Sequence, residues 1–309
     1  MKEKWIFIHE FFIKIIKNFW REKKLALLLA ALGVMSATTF AAEPTLKITS
    51  IGQEVEIENE SGGSNIGESV YFGTSVGLAY KDWTFGVIGA KRWNVDTDDV
   101  DSVTGRVVLD AWKHYDNYKL GFRFRSEKDY DRYYARGAWN HGMFWGSADL
   151  WYEAKSGKDV KGNDKNDTWR GEIFPIGVQY NGIKLGWFVD AEIVSGSVAD
   201  GYREQNFEHQ LRLYAPLYKG EKLTLTTQIR HTLTVDDKFK NEKESDASRY
   251  EDFGRTRVYL ESDYKVNEAL NVYLKYGYEF REKEYVANGK SDENKNYFGD
   301  LIFGWNYKF

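Results

Sequence analysis

The sequence contains no cysteine and only three prolines, and after residue 42 no apolar run approaches the roughly 20 residues that a membrane helix needs. The absence of cysteine excludes a disulfide framework and thiolate metal sites. The scarcity of proline argues against a collagen-like or disordered chain. Any membrane association of the mature chain must therefore use a β-barrel or the protein surface. Aromatic residues are abundant at 17%, while the mean hydropathy is −0.59.

Residues 1–41 have the features of a secretory signal peptide. A basic cluster ends at Lys24, the apolar run Leu25–Met35 follows, and small residues then provide a cleavage site. The predicted mature domain is 42–309. Residues 1–20 form a bulky apolar and basic extension ahead of this signal. A mis-assigned start site is the favoured explanation, an unusually long n-region is the second, and a retained membrane anchor is the third.

The mature chain is acidic. Residues 1–42 hold seven basic and three acidic residues, so their removal changes the net charge from −4 to about −8. An acidic chain is a poor partner for nucleic acid or anionic lipid.

A β-hairpin is predicted around Asn181-Gly182. Apolar residues occupy alternate positions from Phe174 to Tyr180 and again from Ile183 to Ile193. Asn-Gly favours a type I′ turn, in which both central residues have positive φ. Such a turn aligns the apolar residues on one face, through the predicted pairs Tyr180–Ile183, Val178–Leu185 and Ile176–Trp187.

The same alternation recurs along the whole chain from residue 45. It predicts fourteen strands, the first over about 45–58, with connections that alternate between short turns and long polar loops. An even strand number, short turns at one end and long loops at the other are typical of a bacterial outer-membrane barrel. We therefore predict an all-β fold, a transmembrane antiparallel β-barrel. A soluble all-β secreted protein is the alternative.

Aromatic residues cluster beside the predicted turns, as expected for an interfacial girdle in contact with outer-membrane lipid and lipopolysaccharide. The terminal Phe309 ends an alternating strand. An aromatic residue at that position resembles the signal by which the barrel-assembly machinery recognises its substrates.

A family resemblance rests on two stretches. The strand 210–217, with Pro216 inside it, and the C-terminal third, including 276–280 and 304–309, resemble the porin G (OmpG-like) family of monomeric fourteen-stranded porins. The resemblance implies a monomeric general-diffusion porin with a gating sixth external loop. A very short connection after the fifth strand, 126–129, also favours a monomer.

Charged residues on the polar face of the strands predict a water-filled lumen with charges of both signs. The predicted pore-lining residues are Arg123, Arg125, Arg132, Arg136, Asp149, Asp190, Arg212, Arg230, Arg255, Arg257, Glu261, Lys275 and Glu279. Charges of opposite sign on facing walls of the lumen would orient polar solutes and tune ion selectivity. Charges that pair between neighbouring strands would instead stabilise the barrel. The run from Arg123 to Arg136 is the densest basic patch and the predicted anion-attracting wall. Neither a cofactor nor a metal is implied.

Three other functions are alternatives to passive diffusion of small hydrophilic solutes and ions. Predicted inward aromatics beside arginines suit a channel selective for acidic oligosaccharides: Trp112, Trp145, Trp151, Tyr214, Tyr259 and Tyr273. A surface adhesin is compatible with long charged loops. A barrel enzyme is disfavoured, because the mature chain has only four histidines and they show no recognisable hydrolase pattern.

Two gating devices are predicted. The loop 236–249, beginning with Asp236 and Asp237, is nearly all charged and would move at the pore mouth. His209 and His231 are predicted as cross-strand neighbours, whose joint protonation would repel and splay the strands. They share the face of Leu211, however, which favours interfacial rim histidines over a pH gate.

Overall fold

The computed structural model describes residues 45–60, 69–95, 100–158, 165–198, 200, 203–241, 248–287 and 290–309. The predicted signal peptide, 1–41, lies outside the described residues. The strands are β1 (Lys47–Glu60), β2 (Ser69–Tyr80), β3 (Trp83–Val95), β4 (Val100–His114), β5 (Tyr118–Ser126), β6 (Tyr130–His141), β7 (Phe144–Lys155), β8 (Thr168–Tyr180), β9 (Ile183–Val194), β10 (Arg203–Lys219), β11 (Leu223–Phe239), β12 (Ser248–Lys265), β13 (Leu270–Ala287) and β14 (Lys290–Lys308).

The fourteen strands form one closed antiparallel barrel. Neighbours in sequence are neighbours in the sheet, and β1 pairs with β14, from Ser50 opposite Lys308 to Glu60 opposite Phe298. Closure pairs the backbone groups that an open sheet would leave exposed at its edges, which lipid cannot satisfy. The predicted all-β barrel of fourteen strands is confirmed. Within the described ranges, no helix has the length and apolar character needed to span a membrane.

The hairpin between β8 and β9 has the predicted register. Tyr180 pairs with Ile183, Val178 with Leu185 and Ile176 with Trp187. Asn181 has φ = 47° and Gly182 has φ = 83°, so both turn residues adopt the left-handed conformation that a type I′ turn requires.

Phe174 does not share the outer face with this apolar set, which corrects the prediction. The β8–β9 register shifts between Ile173 and Ile176, where Pro175 has no N–H to contribute to the ladder. The extra residue reverses the alternation. Phe174 consequently lies on the inner wall, with its ring 5.0 Å from that of Phe188.

The register of β10 with β11 also differs from the prediction. Shifts occur between Pro216 and Tyr218 and between His209 and Gln210. His209 therefore pairs with Thr234, while His231 pairs with Leu211. The predicted histidine pair was wrong, because it assumed a hairpin centred on Gly220, whereas the turn lies at residues 221–222, with Gly220 N donating to Leu223 O. The two bulges shift the register in opposite directions and cancel at His209.

Several strands extend further than the sequence pattern predicted. β11 continues to Phe239 and β12 begins at Ser248, so Asp236 and Asp237 are strand residues rather than part of a loop spanning 236–249. Residues 242–247 of that loop lie outside the described residues. The strands on this side of the barrel are accordingly the longest, with 17 to 19 residues in β10 to β14.

Candidate functional site

The inner wall of the barrel carries the charged side chains and the outer wall carries the apolar ones. On the outer wall, Leu120 and Phe122 are each 53% exposed and Leu150 is 47% exposed. The inner wall holds the thirteen residues predicted to line the pore, namely Arg123, Arg125, Arg132, Arg136, Asp149, Asp190, Arg212, Arg230, Arg255, Arg257, Glu261, Lys275 and Glu279. An apolar exterior around a charged interior suits lipid outside and water inside.

The arginines of β5 and β6 are bridged by carboxylates. Arg123 Nη2 lies 2.5 Å from Asp110 Oδ2. Arg136 contacts two acids, with its guanidinium nitrogens 2.8 Å from Asp110 and 2.8 Å from Asp149. Asp110 contacts Arg123 on the neighbouring strand β5 and Arg136 across β5 on β6, and Asp149 contacts Arg136 from the neighbouring strand β7, so these ion pairs link β4 to β7.

The other two arginines of this patch are paired as well. Arg125 is bound to Glu127, and Arg132 is bound to Glu153. The predicted anion-attracting wall is therefore not one-signed. Its positive charge is balanced by acids that lie on adjacent strands or in a connection.

Glu127, in the connection between β5 and β6, holds this region together. Its Oε1 accepts hydrogen bonds from Arg106 Nε at 2.5 Å and Tyr130 Oη at 2.6 Å, and also contacts Arg125. Burial alone would raise the pKa of Glu127, but the hydrogen bond from Tyr130 and the charges of Arg125 and Arg106 together lower it. Sequence reasoning missed this role, because Glu127 was assigned to a short loop and not to the wall.

A second network joins β12 to β13. Arg255 Nε donates to Glu279 Oε1 at 3.1 Å, and Arg257 binds the other oxygen of the same carboxylate. Glu279 is 1% exposed. Nearer the short-turn end, Lys275 Nζ lies 3.2 Å from Glu261. Five of the predicted lumen residues thus pair between β12 and β13.

This network reaches across a strand to Glu208. Arg255 Nη1 lies 2.7 Å from Glu208 Oε2. The other oxygen of Glu208 accepts hydrogen bonds from Gln210 and Thr232, each at 2.6 Å. Glu208 is 7% exposed, and these donors compensate its burial.

An acidic row crosses β7 to β10 and contains Asp190. Its members face each other directly on successive strands, in the order Asp149, Glu172, Asp190 and Glu208. The two outer members are paired with arginines, Asp149 with Arg136 and Glu208 with Arg255. The row therefore carries net negative charge on one part of the wall.

Arg212 and Arg230 differ from the other predicted arginines. Across the residues that the structure describes, no Asp or Glu oxygen lies within 4.0 Å of either guanidinium. Arg212 stacks on Phe188, with its Cζ 3.2 Å from the ring centroid, and donates from Nε to Gln210 at 2.8 Å. Arg230 lies over Tyr259, 4.8 Å from the centroid.

The gating candidates occupy separate places. The ring of His209 stacks on Trp187 at 5.7 Å, and Trp187 is 41% exposed on the outer wall. His231 Nδ1 is 2.9 Å from Thr256 Oγ1. The structure does not bring the two histidines together as strand partners.

Asp236 pairs through its backbone with Phe207, inside the β10–β11 ladder. Asp237 accepts a hydrogen bond from Asn206 Nδ2 at 2.7 Å and lies 3.4 Å from Arg203 Nη1. These contacts hold Asp237 against β10, so neither aspartate belongs to a separate charged loop.

Large aromatic rings on the inner wall lie flat over glycines of the neighbouring strand. An added Cβ at the glycine would collide with the ring in each of four pairs: Trp112 over Gly121, Trp145 over Gly177, Tyr259 over Gly277 and Tyr273 over Gly304. Tyr134, which sequence reasoning did not single out, stacks on Trp151 at 4.9 Å. The inner wall therefore presents ring faces as well as charges. In the described part of the chain, no cluster of His, Asp and Glu has the arrangement of a metal site.

The C-terminal half of the barrel matches a known family. Residues 176–305, from the middle of β8 into β14, match the family described as Outer membrane protein G (OmpG). The predicted resemblance is thereby confirmed. A comparison with curated proteins finds no match.

Solved outer-membrane proteins are similar to this chain at low identity. The in-vitro folded OmpT of Vibrio cholerae is 12% identical over 88% of this chain and 100% of its own, with a TM-score of 0.45. An anion-selective porin from Comamonas acidovorans is 10% identical over 86% and 100%, also with a TM-score of 0.45. A bacterial polysaccharide outer membrane secretin is 8% identical over 87% and 100%, with a TM-score of 0.49. Values this low do not indicate a shared function.

Proposed function

We propose that this OmpG-like porin of the bacterial outer membrane is a passive, water-filled channel for small hydrophilic solutes and ions. The observation that carries the proposal is the charged inner wall of a closed fourteen-stranded barrel. Barrels of about eight strands fill their interior with side chains, whereas larger ones leave room for water or a plug. Charged groups along the wall require such water, because burying them in a dry interior would be costly.

The paired charges favour broad permeability over strong selection of one ion. Arg123, Arg125, Arg132 and Arg136 each have a carboxylate partner, so a permeating ion meets both signs at close range. The unpaired Arg212 and Arg230 and the acidic row through Asp190 lie on adjoining parts of the wall. We expect weak ion selectivity, set by the balance of these two regions.

The family match favours a channel over an enzyme, and the proposal assigns no catalytic step. Outer-membrane lipid contacts the apolar exterior, and the permeating solutes are the remaining partners. A single barrel provides a complete lumen, so the proposed functional unit is a monomer.

Single-channel recording tests the proposal. The chain from Ala42 is refolded and added to a planar lipid bilayer in KCl, and insertion is checked by heat-modifiable electrophoretic mobility. We expect stable steps of ohmic current. Protein that was never refolded serves as the control. A folded, inserted barrel that passes no current would overturn the proposal and indicate a plugged or narrow lumen.

A further inference from the structure

One row of residues across β7 to β11 combines a flat indole with two arginines. The row runs directly from strand to strand through Trp145, Gly177, Gly186, Arg212 and Arg230. Neighbouring strands are about 4.8 Å apart. A ring that spreads from Trp145 over the two glycines therefore ends beside the first arginine.

The indole of Trp145 does spread in this way. An added Cβ at Gly177 or at Gly186 would collide with its six-membered ring, so the ring lies flat on both strands. Its Nε1 donates to the backbone oxygen of Val178 at 3.2 Å, and its ring lies 4.9 Å from that of Phe174. One face thus packs on backbone, which leaves the opposite face toward the lumen.

The two arginines next to the indole are held in place by uncharged groups. Phe188 and Gln210 support Arg212. The amide of Gln228 is oriented so that its oxygen accepts from Arg230 Nε at 2.8 Å and from Tyr214 Oη at 3.1 Å. Since Gln228 is 4% exposed, this support is rigid. In the described residues neither guanidinium has a carboxylate oxygen within 4.0 Å, in contrast to the paired arginines of β5 and β6.

A cavity lies directly beside this row. Its volume is about 670 Å³, and its lining includes Trp145, Lys184, Tyr214, Gln228 and the acidic residue Glu261 but neither Arg212 nor Arg230. Lys184 Nζ lies 5.8 Å from the centroid of the Trp145 ring. The size is in the range of cavities that hold small organic ligands. The cavity offers the aromatic face of Trp145, and Arg212 and Arg230 follow on the next strands of the same row.

We propose that Trp145, Arg212 and Arg230 form a binding subsite in the channel wall for a sugar acid. The sugar ring stacks on the free face of the indole, and its carboxylate is bound by the two guanidiniums. Arginine binds planar carboxylates through two parallel hydrogen bonds, and aromatic faces bind the C–H faces of rings. A simple anion would use the arginines alone and a neutral sugar the indole alone, whereas a uronic acid uses both.

The inference rests on the proposed function, since the ligand must enter a water-filled lumen. It deepens that function by naming a substrate class. A channel with this subsite would show saturable transport of acidic oligosaccharides above a background of free diffusion of small ions.

Single-channel recording with trigalacturonate as the probe, and maltotriose as the neutral comparison, tests the subsite. We expect concentration-dependent, saturable current blocks with trigalacturonate and blocks at least tenfold weaker with maltotriose. The variants Arg212→Gln, Arg230→Gln and Trp145→Leu should each weaken the trigalacturonate block about tenfold or more, whereas Lys119→Gln should leave it within about twofold of the wild type. Lys119→Gln is the matched control, because it removes a positive charge from the inner wall over Trp112, away from the row.

The outcomes separate this inference from the proposed function. Absence of current in the wild-type protein would overturn the porin proposal itself. Normal current with no saturable block by trigalacturonate, or with equal block by maltotriose, would overturn the sugar-acid subsite alone. An equal loss of block in Lys119→Gln would also overturn it, because the effect would then come from the overall field in the lumen.

Discussion

The guanidinium of Arg255 on β12 donates a hydrogen bond of 2.7 Å to the carboxylate of Glu208 on β10, across the intervening strand β11. Contacts between strands that are not neighbours are made only on the concave inner wall, where side chains converge. The pair therefore links β10 directly to β12. Backbone hydrogen bonds, in contrast, join each of these strands only to its immediate neighbours.

Replacing Glu208 by Ala should destabilise the barrel. The change removes the acceptor of Arg255, Gln210 and Thr232 at once, and we expect a loss of about 2 kcal/mol in the free energy of unfolding. Urea unfolding of the lipid-inserted protein, followed by tryptophan fluorescence, measures it. Glu221→Ala, in the exposed β10–β11 connection, is the matched control and should change stability very little. Equal stability of the two variants would show that water in the lumen replaces the lost contacts.

The stabilisation by Glu127 should depend on pH. Its folded-state pKa is lowered from the ordinary value of 4.5. The ionised carboxylate therefore contributes its full stabilisation of the folded state at any pH above the pKa of the unfolded chain. The contribution is lost as the pH falls through the lower folded pKa. The difference in unfolding free energy between wild type and Glu127→Gln should be constant between pH 6 and 8 and should shrink as the pH falls below about 4. A difference that stayed the same at low pH would refute the assignment, and Glu221→Gln should show no such trend.

Adding a methyl group at Gly177 should displace the Trp145 ring. Because an added Cβ there collides with the indole, Gly177→Ala should cost about 1–3 kcal/mol in stability. Gly299→Ala is the control, since no heavy atom of the described structure lies within 4 Å of a Cβ added at that glycine. Unfolding curves of the two variants compare the effects, and equal midpoints would contradict the flat ring position.

Neutralising either charged region should shift ion selectivity in opposite directions. Removing negative charge with Glu172→Gln and Asp190→Asn should make the channel more anion-selective, because both carboxylates belong to the acidic row. Arg212→Gln with Arg230→Gln should make it more cation-selective. The reversal potential in a KCl gradient reports the sign. Shifts of the same sign for both double variants would contradict the proposed balance.

Loosening the contacts of the β11–β12 connection should increase spontaneous closures if that connection gates the channel. Lys240 Nζ donates to the backbone oxygen of Val198 at 2.6 Å, and Asn241 Nδ2 donates to Asp200 Oδ1 at 2.7 Å. Both contacts reach the connection between β9 and β10. Lys240→Ala with Asn241→Ala should raise the frequency of brief closures in single-channel records. Lys222→Ala, in a short turn, is the control, and an unchanged frequency would argue against a gate at this connection.

The histidines should have little influence on gating. His209 lies against Trp187 and His231 against Thr256, and they are not strand partners. The closure frequency of His209→Ala with His231→Ala should therefore follow that of the wild type between pH 5 and 8. A clear difference between them at pH 5 would mean that these histidines act through a contact other than the predicted pair.

The number of strands, the face on which a residue lies in a strand without a bulge, and the Asn181-Gly182 turn all follow from the sequence alone. These are local properties, because side chains alternate with a period of two and a two-residue turn sets its own register. For that reason the pairs from Tyr180–Ile183 to Ile176–Trp187 could be predicted without any knowledge of the rest of the barrel.

The tertiary structure alone decided the positions that depend on more than one strand. The bulge at Pro175 moved Phe174 to the inner wall, because a proline removes a ladder hydrogen bond that alternation does not reveal. The partner of each arginine was equally undetermined. Arg136 has two acids while Arg212 has none in the described residues, since curvature and register bring particular side chains together across strands far apart in sequence.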